Sequence, residues 1–194
     1  MVRKILYKTH KAGGTLAMLV VFSYMKHKGL LVDEINPLVQ LTIMYPASSF
    51  GSTISDLDHP WCNVKEKTPF NYFCHYLIHL TKPVHRSWQT HSLMFVGSIC
   101  ILLSSVINLG IKVYGESISL ILIRLMLIGF ISGISSHLFL DSFTRAGIQI
   151  IPGYTFKFVP NSKTFSTDST WENLIFRILT IGIIIMLILL LKMG

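Results

Sequence analysis

The chain has 194 residues, of which 51% are hydrophobic and only 13% are charged. Because ordinary soluble domains are nearer one quarter charged, this balance indicates that lipid forms part of the solvent. The formal net charge of +8 would suit nucleic acid, but a nucleic-acid binder carries its basic residues on a well-solvated polar surface. In this chain the basic residues lie in the stretches between apolar segments. This placement favours membrane lipids as partners, and we do not expect nucleic acid.

Five apolar segments predict a single all-α integral membrane domain covering residues 1–194. They comprise residues 12–25, 37–50, 93–111, 118–140 and 174–191. The hydrocarbon core of a bilayer is ~30 Å thick and a helix rises ~1.5 Å per residue, so the last two segments are long enough to cross it. We predict spans for the last three segments, whereas the first two are short and either extend into their flanks or stop partway.

The connections between these segments alternate between short and long. Residues 51–92 and 141–173 form the long ones, which are polar and rich in Pro, Thr, Ser and aromatic residues. Apolar residues recur at helical spacing over residues 70–82, which predicts an amphipathic helix at the membrane interface. His75 and His79 are four apart on this helix, and the tyrosines beside them favour a wet helix face over a metal site.

Five spans in alternation place the N-terminus and both long connections on the same side of the membrane. That side carries twelve of the 17 Lys and Arg residues, the other side carries four, and Arg124 lies within a span. Positively charged loops are retained in the cytoplasm. The sequence therefore predicts a multi-pass cell-membrane protein whose long connections face the cytoplasm.

Four polar clusters lie at the ends of apolar segments, all on this predicted cytoplasmic side. They contain eight potential metal ligands: His10, Asp56, Asp58, His59, His85, His91, His137 and Asp141. One ion needs three or four protein ligands, so eight suffice for two ions with supporting groups. Histidines and carboxylates without thiolates suit Zn, Mn or Fe in an open catalytic site.

The spacing of His137 and Asp141 is the most informative of these patterns. Four residues apart, they project from one helix face, so an imidazole and a carboxylate can chelate one ion or bridge two. An Asp at the end of an apolar segment is costly without a partner, which makes it a candidate functional group. Taken alone, a polar cap on the helix end would explain the pair equally well.

Two further clusters are compatible with the same chemistry. Pro60 ends a helix, and a non-helical turn before it would let one of Asp56 and Asp58 bind metal while the other orients a ligand. Arg86 could hold a phosphate or carboxylate through its planar fork. A solvated acidic loop and a basic juxtamembrane loop are the simpler interpretations of these clusters.

Two other features are interpreted as structural. Cys62, Cys74 and Cys100 have no paired spacing and are predicted to be packing residues. Gly129 and Gly133 form a G-x-x-x-G pattern, which predicts close helix packing.

The ordered clusters resemble the YdjM-like family of membrane-bound metal-dependent hydrolases. The matching stretches are His10 before a Gly-Gly pair, Asp-Leu-Asp-His-Pro at residues 56–60, His-Arg at 85–86 with Thr-His-Ser at 90–92, and residues 136–147. The resemblance covers about residues 9–176 and ends in a Thr-x-Ser-x-x-Glu stretch at 167–172. Arg145 stands where the family usually has Pro, Asp168 where it has Gly, and the two histidines at 85 and 91 are one residue further apart.

This resemblance implies a hydrolase distantly similar to the zinc-dependent phospholipases C, and therefore one to three ions, with zinc preferred. A metal-activated water would attack a phosphorus or carbonyl centre of a lipid or small phosphoester. An Asp of the 56–58 cluster is the predicted base, with Asp58 as the candidate, and Arg86 or Arg145 would steady the developing negative charge. The alternative is a non-enzymatic membrane protein, either a metal carrier or an interaction scaffold. Ligands on one face favour the enzyme, because a carrier needs polar groups across the bilayer.

Overall fold

The computed structural model describes residues 4–58, 68–80, 87–115, 117–160, 164 and 169–192. These ranges contain α1 (Lys4–His27), α2 (Pro37–Ile54), α3 (Pro69–Leu80), α4 (Leu93–Tyr114), α5 (Ile118–Asp141) and α6 (Thr170–Lys192). A 3-10 turn, Ser55–Asp58, continues α2, and the strands β1 (Ile148–Ile151) and β2 (Tyr154–Phe156) follow α5.

Local sequence signals set where several helices begin. Asn36 caps α2, with Pro37 at its first position, and Ser92 and Ser117 cap α4 and α5. Each capping side chain accepts a hydrogen bond from a backbone N–H that the first turn of a helix leaves unpaired. The Ser92 cap fixes the backbone directly after His91, one of the predicted ligands.

Among the described helices, α4, α5 and α6 are long and apolar enough to cross a membrane. The prediction for the last three apolar segments is therefore confirmed by length and composition, whereas α1 and α2 do not qualify. Helix α2 contains several polar side chains, and three of them, Gln40, Ser48 and Ser52, are fully buried inside the bundle. These groups bond to protein backbone: Ser48, for example, donates to the Gly14 carbonyl at 2.9 Å.

The closest helix packing is between α2 and α5. A Cβ atom at Gly129 would overlap the Met44 carbonyl, and one at Gly133 would overlap the Ser48 carbonyl. Only glycine allows two backbones to approach this closely. The predicted G-x-x-x-G packing is confirmed.

Helix α1 lies against α2, α5 and α6, and its two halves bury different kinds of side chain. Its second half packs Met18, Leu19 and Phe22 into a core shared with Met44 of α2. Its first half buries Thr9 and His10 instead. The polar end of the bundle is thus the end at which α1 and α6 begin and α2 and α5 finish.

Helix α3 occupies the predicted amphipathic segment, and it lies against the 3-10 turn. Tyr72, Phe73 and Tyr76 are exposed, as an interfacial helix requires. His75 departs from the predicted wet face, because it is half-buried and its Nδ1 lies 2.7 Å from the Leu57 carbonyl oxygen. Whether α3 rests on the membrane stays a prediction.

Two of the three cysteines lie within the described ranges. Cys74 and Cys100 are free and partly buried. Burial raises the pKa of the Cys74 thiol, which disfavours the reactive thiolate and suits the predicted packing role.

The purely α-helical prediction is wrong in one region, where β1 and β2 form an antiparallel hairpin. Gly153 turns the chain with a φ of 82°. Ile148 packs with Val96, Ile134 and Leu138, which ties the hairpin to α4 and α5. Strands this short are stable only when packed on other elements, so local sequence pattern did not reveal them.

Candidate metal centre

Six of the eight predicted ligands come together at the polar end of the bundle. His10 comes from α1, Asp56 and Asp58 from the 3-10 turn, His91 from the residue before the α4 cap, and His137 and Asp141 from the last turns of α5. His59 and His85 lie outside the described residues. The role of all eight as ligands stays a prediction.

These side chains are almost entirely removed from water. His10, Asp58, His91, His137 and Asp141 are at most 2% exposed, whereas the Asp56 side chain is 19% exposed. Burying carboxylates is costly unless cations or hydrogen-bond donors compensate them. The cluster is therefore suited to holding positive charge, and Asp56 marks the side from which solvent reaches it.

The ring of His137 is oriented by the backbone of α2. Its Nδ1 lies 2.8 Å from the Ser52 carbonyl oxygen. Since a carbonyl can only accept, Nδ1 carries the proton, and in the neutral ring Nε2 is the nitrogen that could bind an ion. Metal-binding histidines are typically held in this way by a backbone carbonyl.

His91 is held by a carboxylate in a comparable way. Its Nδ1 lies 3.4 Å from Asp58 Oδ2 and 3.0 Å from Thr90 Oγ1. The Thr90 hydroxyl itself donates to Asp58 at 2.5 Å, and the His91 carbonyl accepts from the N–H of Gln149 on β1. Ring and backbone are both fixed, and Nε2 faces the centre of the cluster.

The inward-facing atoms have the separations that a tetrahedral ion requires. The Nε2 atoms of His91 and His137 are 3.4 Å apart, and each lies 3.5 Å from Asp141 Oδ2. Zinc bonds of ~2.0–2.1 Å in a tetrahedron place neighbouring ligand atoms ~3.3 Å apart. These three groups could therefore hold one ion. Asp56 Oδ1 lies 3.9 Å from both histidine nitrogens.

A second, overlapping group contains His10, Asp56 and His137. The rings of His10 and His137 are stacked at 4.0 Å, and His10 Nε2 lies 3.6 Å from Asp141 Oδ1. Asp141 thus turns Oδ1 towards His10 and Oδ2 towards His91 and His137. Because both groups share one free nitrogen of His137, that nitrogen can serve only one ion at a time.

The predicted catalytic residues have different positions. Asp58 lies against His91 Nδ1, a place suited to orienting that ring, and its role as a base stays a prediction. Arg145 is exposed on the connection between α5 and β1. Arg86 lies outside the described residues.

Glu172 is a buried acid at the same end to which the sequence assigned no role. It is 1% exposed in the first turn of α6, and Thr9, next to His10, donates to it at 3.4 Å. The Glu172 N–H also bonds the Ser169 side chain. A Ser-x-x-Glu pattern predicts only a capped helix start, so the burial of Glu172 had no local signal.

These features define an integral membrane protein with a His/Asp cluster at one end of its helical bundle. The model of the YdjM inner membrane protein family matches residues 5–193, and the chain belongs to that family. The YdjM family and the membrane location are thereby confirmed, whereas the hydrolase activity and the similarity to phospholipases C stay predictions. No curated protein and no solved structure gives a significant match.

Proposed function

We propose that this protein is a membrane-bound metal-dependent hydrolase that cleaves a phosphoester or related bond in a lipid or membrane-associated substrate. The observation that carries the proposal is the triangle of His91 Nε2, His137 Nε2 and Asp141 Oδ2, with sides of 3.4–3.5 Å. A divalent ion bound there, preferably zinc, would polarise the substrate and make water acidic enough to react near neutral pH.

The surrounding residues would prepare the site for this chemistry. The Ser52 carbonyl and Asp58 hold the two ligand rings, so little reorganisation accompanies binding. Asp56 is the partly exposed member of the cluster, which supports the entry of substrate and water beside it. Asp56 or Asp58 would accept the proton from the attacking water, and Arg86 or Arg145 would contact the developing negative charge.

A lipid headgroup is the favoured substrate class because of where the cluster lies. His91 precedes the Ser92 cap of α4, and His137 and Asp141 lie in the last turns of α5. Both helices are candidate membrane spans. The ends of spans lie near the headgroup layer. A soluble phosphoester that reaches the membrane surface is the second possibility.

We expect the purified protein to release a new product from a membrane lipid extract or from a model phosphoester. Products would be read by mass spectrometry, and their formation should stop on chelation and resume when zinc is restored. His91→Ala should abolish them, whereas His27→Ala, an exposed change at the opposite end of α1, should not. Absence of any metal-dependent product would contradict the proposal.

The rival function is metal transport. A carrier needs ionisable groups on a path between the two membrane faces, whereas the described cluster is confined to one end of the bundle. Flux into liposomes distinguishes the two functions. Metal uptake that disappears in Asp141→Asn would overturn the hydrolase in favour of the carrier.

We also propose that this polar end faces the cytoplasm, since twelve of the 17 basic residues belong to it in the five-span threading. In a cysteine-free background, Thr68→Cys should resist an impermeant maleimide in intact cells and react after lysis. Tyr114→Cys, at the far end of α4, should react in intact cells. The reverse labelling would place the cluster outside the cell.

A further inference from the structure

The β1–β2 hairpin has two chemically different sides. Side chains alternate across a strand, and Phe156 and Phe158 contact each other on one side, with ring centroids 5.7 Å apart. Thr155 and Lys157 alternate with them and line a shallow, open cavity. One side of the hairpin is therefore aromatic and the other is polar and open to solvent.

The aromatic side continues onto the end of α5. Phe158 stacks on Phe143 at 5.2 Å and meets Phe139 at 5.7 Å, and Phe139 and Phe143 are 5.1 Å apart. Despite these contacts Phe139 and Phe158 remain 53% and 57% exposed. These four phenylalanines, 139, 143, 156 and 158, are called the aromatic patch. An apolar surface left open beside a membrane span needs a covering.

The position of Phe139 sets the depth of this patch. Helix α5 has 24 residues, so at ~1.5 Å per residue it is about 36 Å long and exceeds the ~30 Å hydrocarbon core by about one turn. Phe139 belongs to its last turn. The patch therefore begins where the lipid-facing surface of the span ends, at the level where aromatic side chains gather in membrane proteins.

We propose that the aromatic patch lies in the interfacial layer of the lipid bilayer and seats the hairpin on the membrane, with the Thr155 and Lys157 side facing water. The proposal goes beyond the hydrolase function and needs neither metal nor catalysis. The hairpin segment also forms two backbone hydrogen bonds with the segments that carry the His/Asp cluster. Gln149 donates to the His91 carbonyl, and Phe158 donates to the carbonyl of Ser142, next to Asp141. The patch is therefore connected by backbone hydrogen bonds to the segments that carry the candidate ligands His91 and Asp141.

The test compares neighbouring residues on the two sides of β2. In a background with Trp61, Trp88 and Trp171 replaced by Phe, single tryptophans are introduced as Phe156→Trp and Thr155→Trp. The proteins are placed in nanodiscs whose lipids carry bromine at a shallow acyl position. We expect bromine to quench the Phe156→Trp emission at least two-fold more strongly, and aqueous acrylamide to favour Thr155→Trp.

Equal bromolipid quenching at the two positions would overturn the proposal. So would a Phe156→Trp signal shielded from bromine and acrylamide alike, because a protein partner or a second copy would then cover the patch. If Phe156→Trp does not yield folded protein, Phe158→Trp provides the same comparison. Neither readout depends on activity, so failure of the hydrolase proposal leaves this one standing.

Discussion

Replacing His137 and Asp141 together with alanine is expected to reduce bound divalent metal from one or more ions per chain to background. The double change removes two corners of the 3.4–3.5 Å triangle and the carboxylate oxygen that faces His10. Elemental analysis of the protein purified in detergent measures the effect. His27→Ala is the matched control, because it removes an exposed imidazole at the far end of α1.

A milder variant distinguishes the loss of metal ligands from a loss of metal caused by unfolding. Asp58→Asn keeps the size of the side chain and removes the charge facing His91 Nδ1. Loss of such a supporting group typically weakens metal affinity ~10–100-fold, so a titration should show weakened binding while circular dichroism stays unchanged. Metal content unaltered by the His137 and Asp141 changes would exclude these residues as ligands.

Gly133→Ala is expected to destabilise the protein strongly, because the new Cβ would overlap the Ser48 carbonyl and approach the Ser52 nitrogen within 2.8 Å. Forcing atoms into a packed interior costs ~1–3 kcal/mol, and more where backbone must move. For a chain of this size, ~3 kcal/mol lowers the melting temperature by roughly 6–12 °C. Thermal unfolding in detergent provides the measurement.

The same change should disturb the metal cluster. Separating α2 from α5 moves the Ser52 carbonyl away from His137 Nδ1, so metal affinity should fall along with stability. Gly97→Ala in α4 is the control, since a Cβ there has no described atom within 4 Å and alanine favours a helix. Equal melting temperatures for the two variants would refute the inferred backbone contact.

Local patterns were enough to predict much of this protein. The three helices that could cross a membrane were predicted from the length of their apolar segments. In lipid the backbone N–H and C=O groups of a segment must bond to each other, and a helix achieves this by itself. His137 and Asp141 share a helix face by their spacing alone. The polar clusters were predicted to lie at one end because successive apolar segments run in opposite directions. That prediction needs no knowledge of which residues are in contact.

The tertiary structure decided what depends on residues distant in sequence. Ser52 orients His137 across 85 positions and Thr9 meets Glu172 across 163, and no local period encodes such partners. Likewise, no local pattern shows that Ser48 of α2 lies against α5, where Gly133 lets the two backbones come together. The hairpin is stable because Ile148 has a packing site on α4 and α5. Sequence thus determined which groups could form a site, while packing between helices determined which atoms face one another.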